Sequence, residues 1–343
     1  VLTGERPGPR VLQQGGARAI YTAVEIAVVR RIWTWADYPC GKRLVAILPL
    51  WLGSYERRYG EVAPRVRRKI LRMSPATLDR LLAADRTKLS PRKGGTKPGR
   101  LLRSQIPIRC ESWNVTCPGY LEADSVDHGG DSTAGSYMHS LTYTDIFSGW
   151  TEQAAVWNKG ATGVVTRTRQ IEAELPFPIV AFDSDNGGEF LNHHLLRYFR
   201  SRTQPVDFTR SREYHKNDNA HVEQKNWTKV RLLLGYERYD QPELVDLVHR
   251  LYRHEWRLLQ NFFQPVMKLI EKRRVGPKVH KRYDRAQTPA QRLLAWEGLS
   301  ADKRQWLVQQ QATLDPLHLM EAVNRQCQQI RKLLREGKNR AAA

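Results

Sequence analysis

The chain has 343 residues, 41% of them hydrophobic, and carries 56 Lys+Arg against 35 Asp+Glu, a formal net charge of +21. The length allows two or three domains, and the apolar content leaves ample material for real cores. So basic a chain points to a polyanionic partner, because neutralising phosphates releases condensed counterions. No amphipathic stretch joins a basic face to a deep apolar one, so nucleic acid is favoured over a membrane surface.

The charge is unevenly spread. Residues 1–110 carry 23 Lys+Arg against 7 Asp+Glu, residues 111–200 carry 5 against 12, and residues 201–343 carry 28 against 16. An acidic middle between basic flanks fits a core that gathers carboxylates for cations while its neighbours hold DNA. Four cysteines, Cys40, Cys110, Cys117 and Cys327, have neither CxxC pairing nor zinc-ligand spacing and read as reduced cytosolic thiols. The N-terminus has no signal-peptide pattern, and the longest apolar run, Leu44 to Leu52, is far too short to span a bilayer. A cytoplasmic protein, nucleoid-associated when bound to DNA, is expected. The first residue is Val1 rather than Met, consistent with a fragment or a processed form.

In chain order, residues 1–90 read as a helical region. Ala19–Trp35 and Lys42–Tyr55 have helical apolar spacing with turn-prone Asp37-Tyr38-Pro39 between them. Val66–Arg72 is followed by Ser74, suited to an N-cap, and Pro75, suited to the first helical position. The pair resembles a helix-turn-helix with Pro75–Asp85 as recognition helix. Residues 91–110 form a basic linker; its Gly/Pro-rich stretch around Arg92 and Lys93 can also lie along a DNA groove.

The pattern then changes to strands. Tyr120–Val126, Tyr137–Phe147 and Gly149–Trp157 are rich in β-branched and aromatic residues. Gly163–Leu175 reads as helix, Pro178–Phe182 as a short buried strand, Glu189–Ser201 as helix, Val206–Thr209 as strand and Asn219–Leu234 as helix. Three antiparallel-type strands followed by alternating helix and strand describe an α/β ribonuclease-H-like core, a mixed five-stranded sheet flanked by helices, at residues 111–260. Residues 261–343 read as basic and mainly helical, with eight Lys/Arg in Lys268–Arg285 around Gly276-Pro277. In the last helix Met320, Val323, Cys327, Ile330 and Leu334 form an apolar stripe, either a dimer seam or a face packed on its own domain.

Phosphodiester chemistry requires an activated oxygen nucleophile and stabilisation of charge on attacking and leaving oxygens. Two Mg²⁺ ions about 3.5–4 Å apart supply both, and Mg²⁺ prefers carboxylate oxygen. Acids at strand ends and on a facing helix are therefore the candidates. Asp124 lies in the first core strand, Asp185 where a buried strand meets Asn186-Gly187-Gly188, and Glu223 near the start of a helix. Asp127 is the alternative to Asp124, although three residues along a strand it points to the opposite face; Asp183 is the alternative to Asp185. Asp145, at a strand end before a turn, reads as structural. Lys216, Lys225 and Lys229, with Arg210 and Arg212 upstream, form a basic strip beside Glu223, either DNA-binding or an ordinary solvated face. His215 and His221 read as structural or phosphate contacts.

The Asp185-Asn186-Gly187 turn after a short strand, and the Asn-rich turn leading into Val222-Glu223, resemble the integrase core of retroviral integrases and many bacterial insertion-sequence transposases. Thirty-seven residues lie between Asp185 and Glu223. Further stretches resemble a subgroup of insertion-sequence transposases: Leu141–Asp145, Gly149–Glu152, Phe208–Arg212, Val222–Asn226, Asn261–Pro265 and Thr288–Leu293. The resemblance runs from about residue 118 to 295. It implies a DDE transposase in which Asp124, Asp185 and Glu223 hold two Mg²⁺ ions, with Mn²⁺ able to substitute. It also implies double-stranded DNA partners, inverted-repeat ends and target, and a dimer or larger synaptic assembly. A simple ribonuclease-H-type nuclease and a catalytically silent DNA-binding derivative are the alternatives.

Overall fold

The computed structural model describes residues 21–87, 115–184, 190, 193–210, 225–275 and 278–342. Helix α1 (Ala23–Trp35) opens with a capping box in which Thr22 and Glu25 satisfy each other's backbone donors. Hydrogen bonds from Thr22 hold the buried Glu25 carboxyl down to about 2. Helix α2 (Gly41–Tyr59) outruns its expected end by four residues. Helices α3 (Pro64–Leu71), α4 (Pro75–Leu81) and the short α5 (Ala83–Arg86) follow, and Ser74 caps α4 by accepting from the Thr77 amide at 3.2 Å. At the crossing of α2 and α4 a side chain at Gly41 would meet the Pro75 carbonyl at 2.2 Å, while the Gly41 amide donates to Asp79 at 2.8 Å. Only glycine permits so close an approach.

The sheet runs in the order β3-β2-β1-β4-β5. Strands β1 (Tyr120–Asp127), β2 (Met138–Asp145) and β3 (Thr151–Trp157) form an antiparallel meander. Strands β4 (Ala181–Ser184) and β5 (Asp207–Arg210) add in parallel on the other side of β1. Helix α6 (Ala161–Glu174) packs on β3 and on helix α7 (His193–Arg200). Beneath the sheet Phe182 packs against Phe199 at 4.9 Å and Tyr143 at 5.4 Å between ring centroids. Every residue of β2 is buried, as expected of a central strand covered on both faces. The mixed five-stranded sheet flanked by helices is the core architecture that the strand pattern implied, with β4 set two to three residues later than expected.

Residues beyond the sheet wrap back onto it. A helix runs from Glu243 through a π-helical stretch, Tyr252–Trp256, to Phe263. Residues 268–285, expected to continue a helical region, are instead a two-stranded antiparallel hairpin, β6 (Leu269–Val275) with β7 (Lys278–Tyr283). Ile270, Val275 and Val279 favour extended backbone, and the Gly276-Pro277 dipeptide between the strands stops a helix. After helices Pro289–Ala295 and Ala301–Thr313, the long helix Pro316–Ala342 buries Met320, Val323, Cys327, Ile330 and Leu334 within its own chain. It packs on the helix Glu243–Leu251, on Tyr252–Trp256 and on α2. The N-terminal helices join the same core: Trp51 Nε1 donates to the Phe263 carbonyl at 3.2 Å, and Arg57 pairs with Asp315 at 2.7 Å. One buried hydrophobic cluster extends from Val28 to Leu334.

Candidate active site

The register of the sheet brings the end of β4 to the middle of β1. Ala123 stands beside Ser184, and Ser184 beside Arg210 on β5. The next residue along β1 is Asp124, half-buried opposite Thr142 of β2. Its Oδ2 accepts from Asn226 Nδ2 at 2.7 Å, and its Oδ1 from the Ser125 amide at 2.7 Å. Asn226 lies at the start of the π-helical turn Asn226–Arg231, and Lys225 before it is already helical. The helix that continues the Val222–Asn226 motif is thus tied to the carboxylate of β1. Asp185 and Glu223 lie outside the described residues, as do Arg212, Lys216, Arg92 and Lys93. Among the described residues no group of three His, Cys, Asp or Glu is placed to hold a metal, and no helix is long and apolar enough to cross a membrane.

The alternative carboxylates are engaged elsewhere. Asp127 accepts from His139 Nδ1 at 2.8 Å and pairs with Lys159 at 3.2 Å. Burial raises its carboxyl, but the His139 hydrogen bond and the Lys159 charge outweigh that and hold it at about 2. Asp183 is fully buried and accepts from Thr209 on β5. Asp145 accepts from the Gly119 amide at 2.9 Å and from the Ser148 amide at 2.7 Å. Burial pushes Asp145 up to about 6 against those hydrogen bonds, and it ties the β2–β3 turn to the segment leading into β1.

Of the basic residues expected beside the site, the described Arg210, Lys225 and Lys229 turn inward. Arg210 is buried at the end of β5. Lys225, also buried, donates to the Gly149 carbonyl at 3.2 Å, and Lys229 donates to Gln264. The two lysines share a face, but that face lines a cleft of about 240 Å³ together with Arg43 and Lys268. Burial lowers both ammonium groups, Lys225 strongly and Lys229 to about 7, with neighbouring cations adding to the effect. They therefore do not form a solvated outer strip.

Several motifs quoted from the sequence serve the scaffold. In Gly149–Glu152, the Glu152 carboxylate accepts from Trp150 Nε1 at 2.7 Å, Arg257 Nε at 2.6 Å and Arg253 Nη1 at 3.1 Å. The Arg257 guanidinium also lies 5.7 Å from the Trp150 ring centroid. In Asn261–Pro265, the Asn261 side chain exchanges two hydrogen bonds with the backbone of Thr151, both 2.9 Å, as a neighbouring strand would. In Thr288–Leu293, Thr288 and Gln291 form a capping box. The sequence marks Asn226 only as the end of the Val222–Asn226 stretch and gives Arg253 and Arg257 no role, since only their partners' positions in the fold do so.

Comparison with known proteins finds a relative among the curated proteins. The chain is 39% identical over 258 residues to the uncharacterized protein y4rM of Sinorhizobium fredii (strain NBRC 101917 / NGR234), covering 74% of this chain and 72% of that protein. The chain belongs to the y4rM family. No protein-family model matches. Similar solved structures include the catalytic core domain of BIV integrase, at 16% identity and a TM-score of 0.27 over 34% of this chain and 68% of that one. The HTLV-2 integrase catalytic core domain in complex with magnesium, dimeric form, gives 15% and 0.32 over 44% and 92%. Its trimeric form gives 16% and 0.32 over 43% and 89%.

Proposed function

We propose that the chain is a DDE-type polynucleotidyl transferase, a transposase that cleaves the 3′ ends of an element and joins them to target DNA. The observation that carries this is the hydrogen bond from Asn226 to Asp124. Residues three apart on a helix share a face, so a helix continuing back from Lys225 through Glu223 would turn that carboxylate toward the same strand as Asn226. Asp185 follows Ser184, the register partner of Ala123, as Asp124 follows Ala123. Three carboxylates from two adjacent strands and one helix would then converge.

Carboxylate oxygens are the donors Mg²⁺ prefers, and Asp124 is half-exposed on its strand. Asp124, Asp185 and Glu223 would hold it. When bound, a metal pair lowers the pKa of its oxygen nucleophile and neutralises charge on the leaving oxygen. Asn226 orients Asp124 through its hydrogen bond to Oδ2, fixing which carboxylate lone pairs would be left to hold the ion. Arg92, Lys93, Arg212 and Lys216 would bind double-stranded DNA along its phosphates. Pairing two ends requires at least two protomers.

The test is incubation of an oligonucleotide carrying the element's end with target DNA and Mg²⁺. Wild type is expected to join the two, whereas Asp185→Asn and Glu223→Gln bind but neither cut nor join. Full activity in either variant refutes the assignment. Nicking without joining by wild type would instead identify a simple ribonuclease-H-type nuclease.

A further inference from the structure

The cleft of about 240 Å³ lies where the N-terminal helices meet the sheet domain. Its walls come from stretches far apart in the sequence: the α1–α2 connection and α2, the β2–β3 turn, the helix after Asn226, and the segment after Phe263. Four cationic side chains line it, Arg43, Lys225, Lys229 and Lys268, and Asp37 is the one acid among the lining residues described. Among the described residues, the buried Glu152 is matched by Arg253 and Arg257, whereas here cations outnumber the acids that line the cleft. Among the described residues Arg43 Nε is buried without a hydrogen-bond partner. Each ammonium has three donors, and hydrogen bonds to Gly149 and to Gln264 use one from Lys225 and one from Lys229.

Like charges in a partly dry cleft raise the free energy of the folded chain unless an anion joins them. Burial, and then the Arg43 charge, push the Lys229 ammonium down to about 7. At the lip, Asp37 and Tyr38 both hold left-handed backbone, at φ 62° and 57°, although neither is glycine. Such conformations cost free energy and persist where the surroundings enforce them; here Tyr38 packs edge-on against Trp33 at 5.0 Å.

We propose that this cleft is a phosphoryl-binding site that clamps the N-terminal helices to the core. A phosphoryl group offers three acceptor oxygens and up to two negative charges, which suits donors converging from Arg43, Lys225 and Lys229. The volume is an order of magnitude above what one water needs. It accommodates a phosphoryl group with a small substituent and excludes a duplex, so the ligand is a free phosphate, a small phosphate ester or the phosphate of a single nucleotide. The inference does not depend on the carboxylate site, since it requires neither Asp124 nor a metal, and the two can fail separately.

The experiment measures the melting temperature and calorimetric binding of the full chain at constant ionic strength. The probes are inorganic phosphate, pyrophosphate, and a nucleoside monophosphate against its parent nucleoside. Wild type is expected to show a saturable rise with at least one phosphorylated probe and none with the nucleoside or with matched chloride. Response to inorganic phosphate assigns a free ion; response confined to the nucleoside monophosphate assigns a nucleotide. Arg43→Gln should weaken binding at least about tenfold. Lys229→Met should abolish the shift while raising the melting temperature of the unliganded chain, so loss of binding is separable from misfolding. No saturable shift in wild type, or an equal shift in both variants, would overturn the proposal.

Discussion

Two buried charge clusters of this molecule are built on opposite terms. Beside β3, the Glu152 carboxylate is met by two arginines and the Trp150 indole, and both of its oxygens are satisfied. At the seam with the N-terminal helices, Arg43, Lys225, Lys229 and Lys268 share a cleft in which Asp37 is the one acid among the described lining residues. The first holds the helix Glu243–Phe263 to the sheet edge and leaves no valence for a ligand. The second is held together by apolar packing around it and keeps donor capacity in reserve. Buried charge that closes on itself is scaffold, and buried charge that does not close invites a partner.

The comparison breaks most readily at Glu152. Glu152→Ala leaves the buried Arg253 and Arg257 guanidinium groups with only the more exposed Glu174 carboxylate as counter-charge and is expected to cost about 3 kcal/mol in denaturant unfolding. A loss below about 1 kcal/mol would show that the cluster is not the clamp inferred. Next in size is Lys229→Met, expected to stabilise the chain by at least about 1 kcal/mol at neutral pH. Because the folded pKa of Lys229 lies near 7, below its usual 10.5, the cost of burying it is fully present below pH 7 and fades as pH rises toward 10.5. The stability gap between wild type and Lys229→Met should therefore close across that window; a gap independent of pH contradicts the assignment. The smallest effect is expected at Asp127→Asn, about 1 kcal/mol, since Asp127 is partly exposed. Its carboxyl sits near 2 rather than 3.8, so its contribution is present above pH 3.8 and is lost as pH falls through about 2. Acid unfolding curves of the variant and wild type should converge at the acid end.

The sheet was legible because its strands carry local signals: β-branched and aromatic runs, with Ser148-Gly149 turning the second into the third. The acid of β1 was legible as a candidate because an aspartate amid apolar neighbours on a strand is unusual, and its engagement by Asn226 was not, because that contact joins residues 102 apart. Basic density says little about where a side chain points. Lys225 and Lys229 read as part of a strip either DNA-binding or solvated, and the apolar wall of Ile47, Leu232 and Phe263 draws their stems inward. Lys268–Arg285 carried helix-compatible charge, while its β-branched residues and Gly-Pro centre dictated a hairpin. The quoted motifs Gly149–Glu152 and Asn261–Pro265 marked real constraints, but those constraints are docking contacts between helix and sheet.

The carboxylate site is tested most directly by metal binding. Mn²⁺ titration of the full chain, followed by the paramagnetic broadening of its resonance, should show specific binding in wild type. Asp124→Asn should lose at least about tenfold in affinity, as expected when a ligand oxygen is removed, while Asp127→Asn binds as wild type does. Retained binding in Asp124→Asn with loss in Asp127→Asn would contradict the assignment of β1's ligand and the geometry built on it.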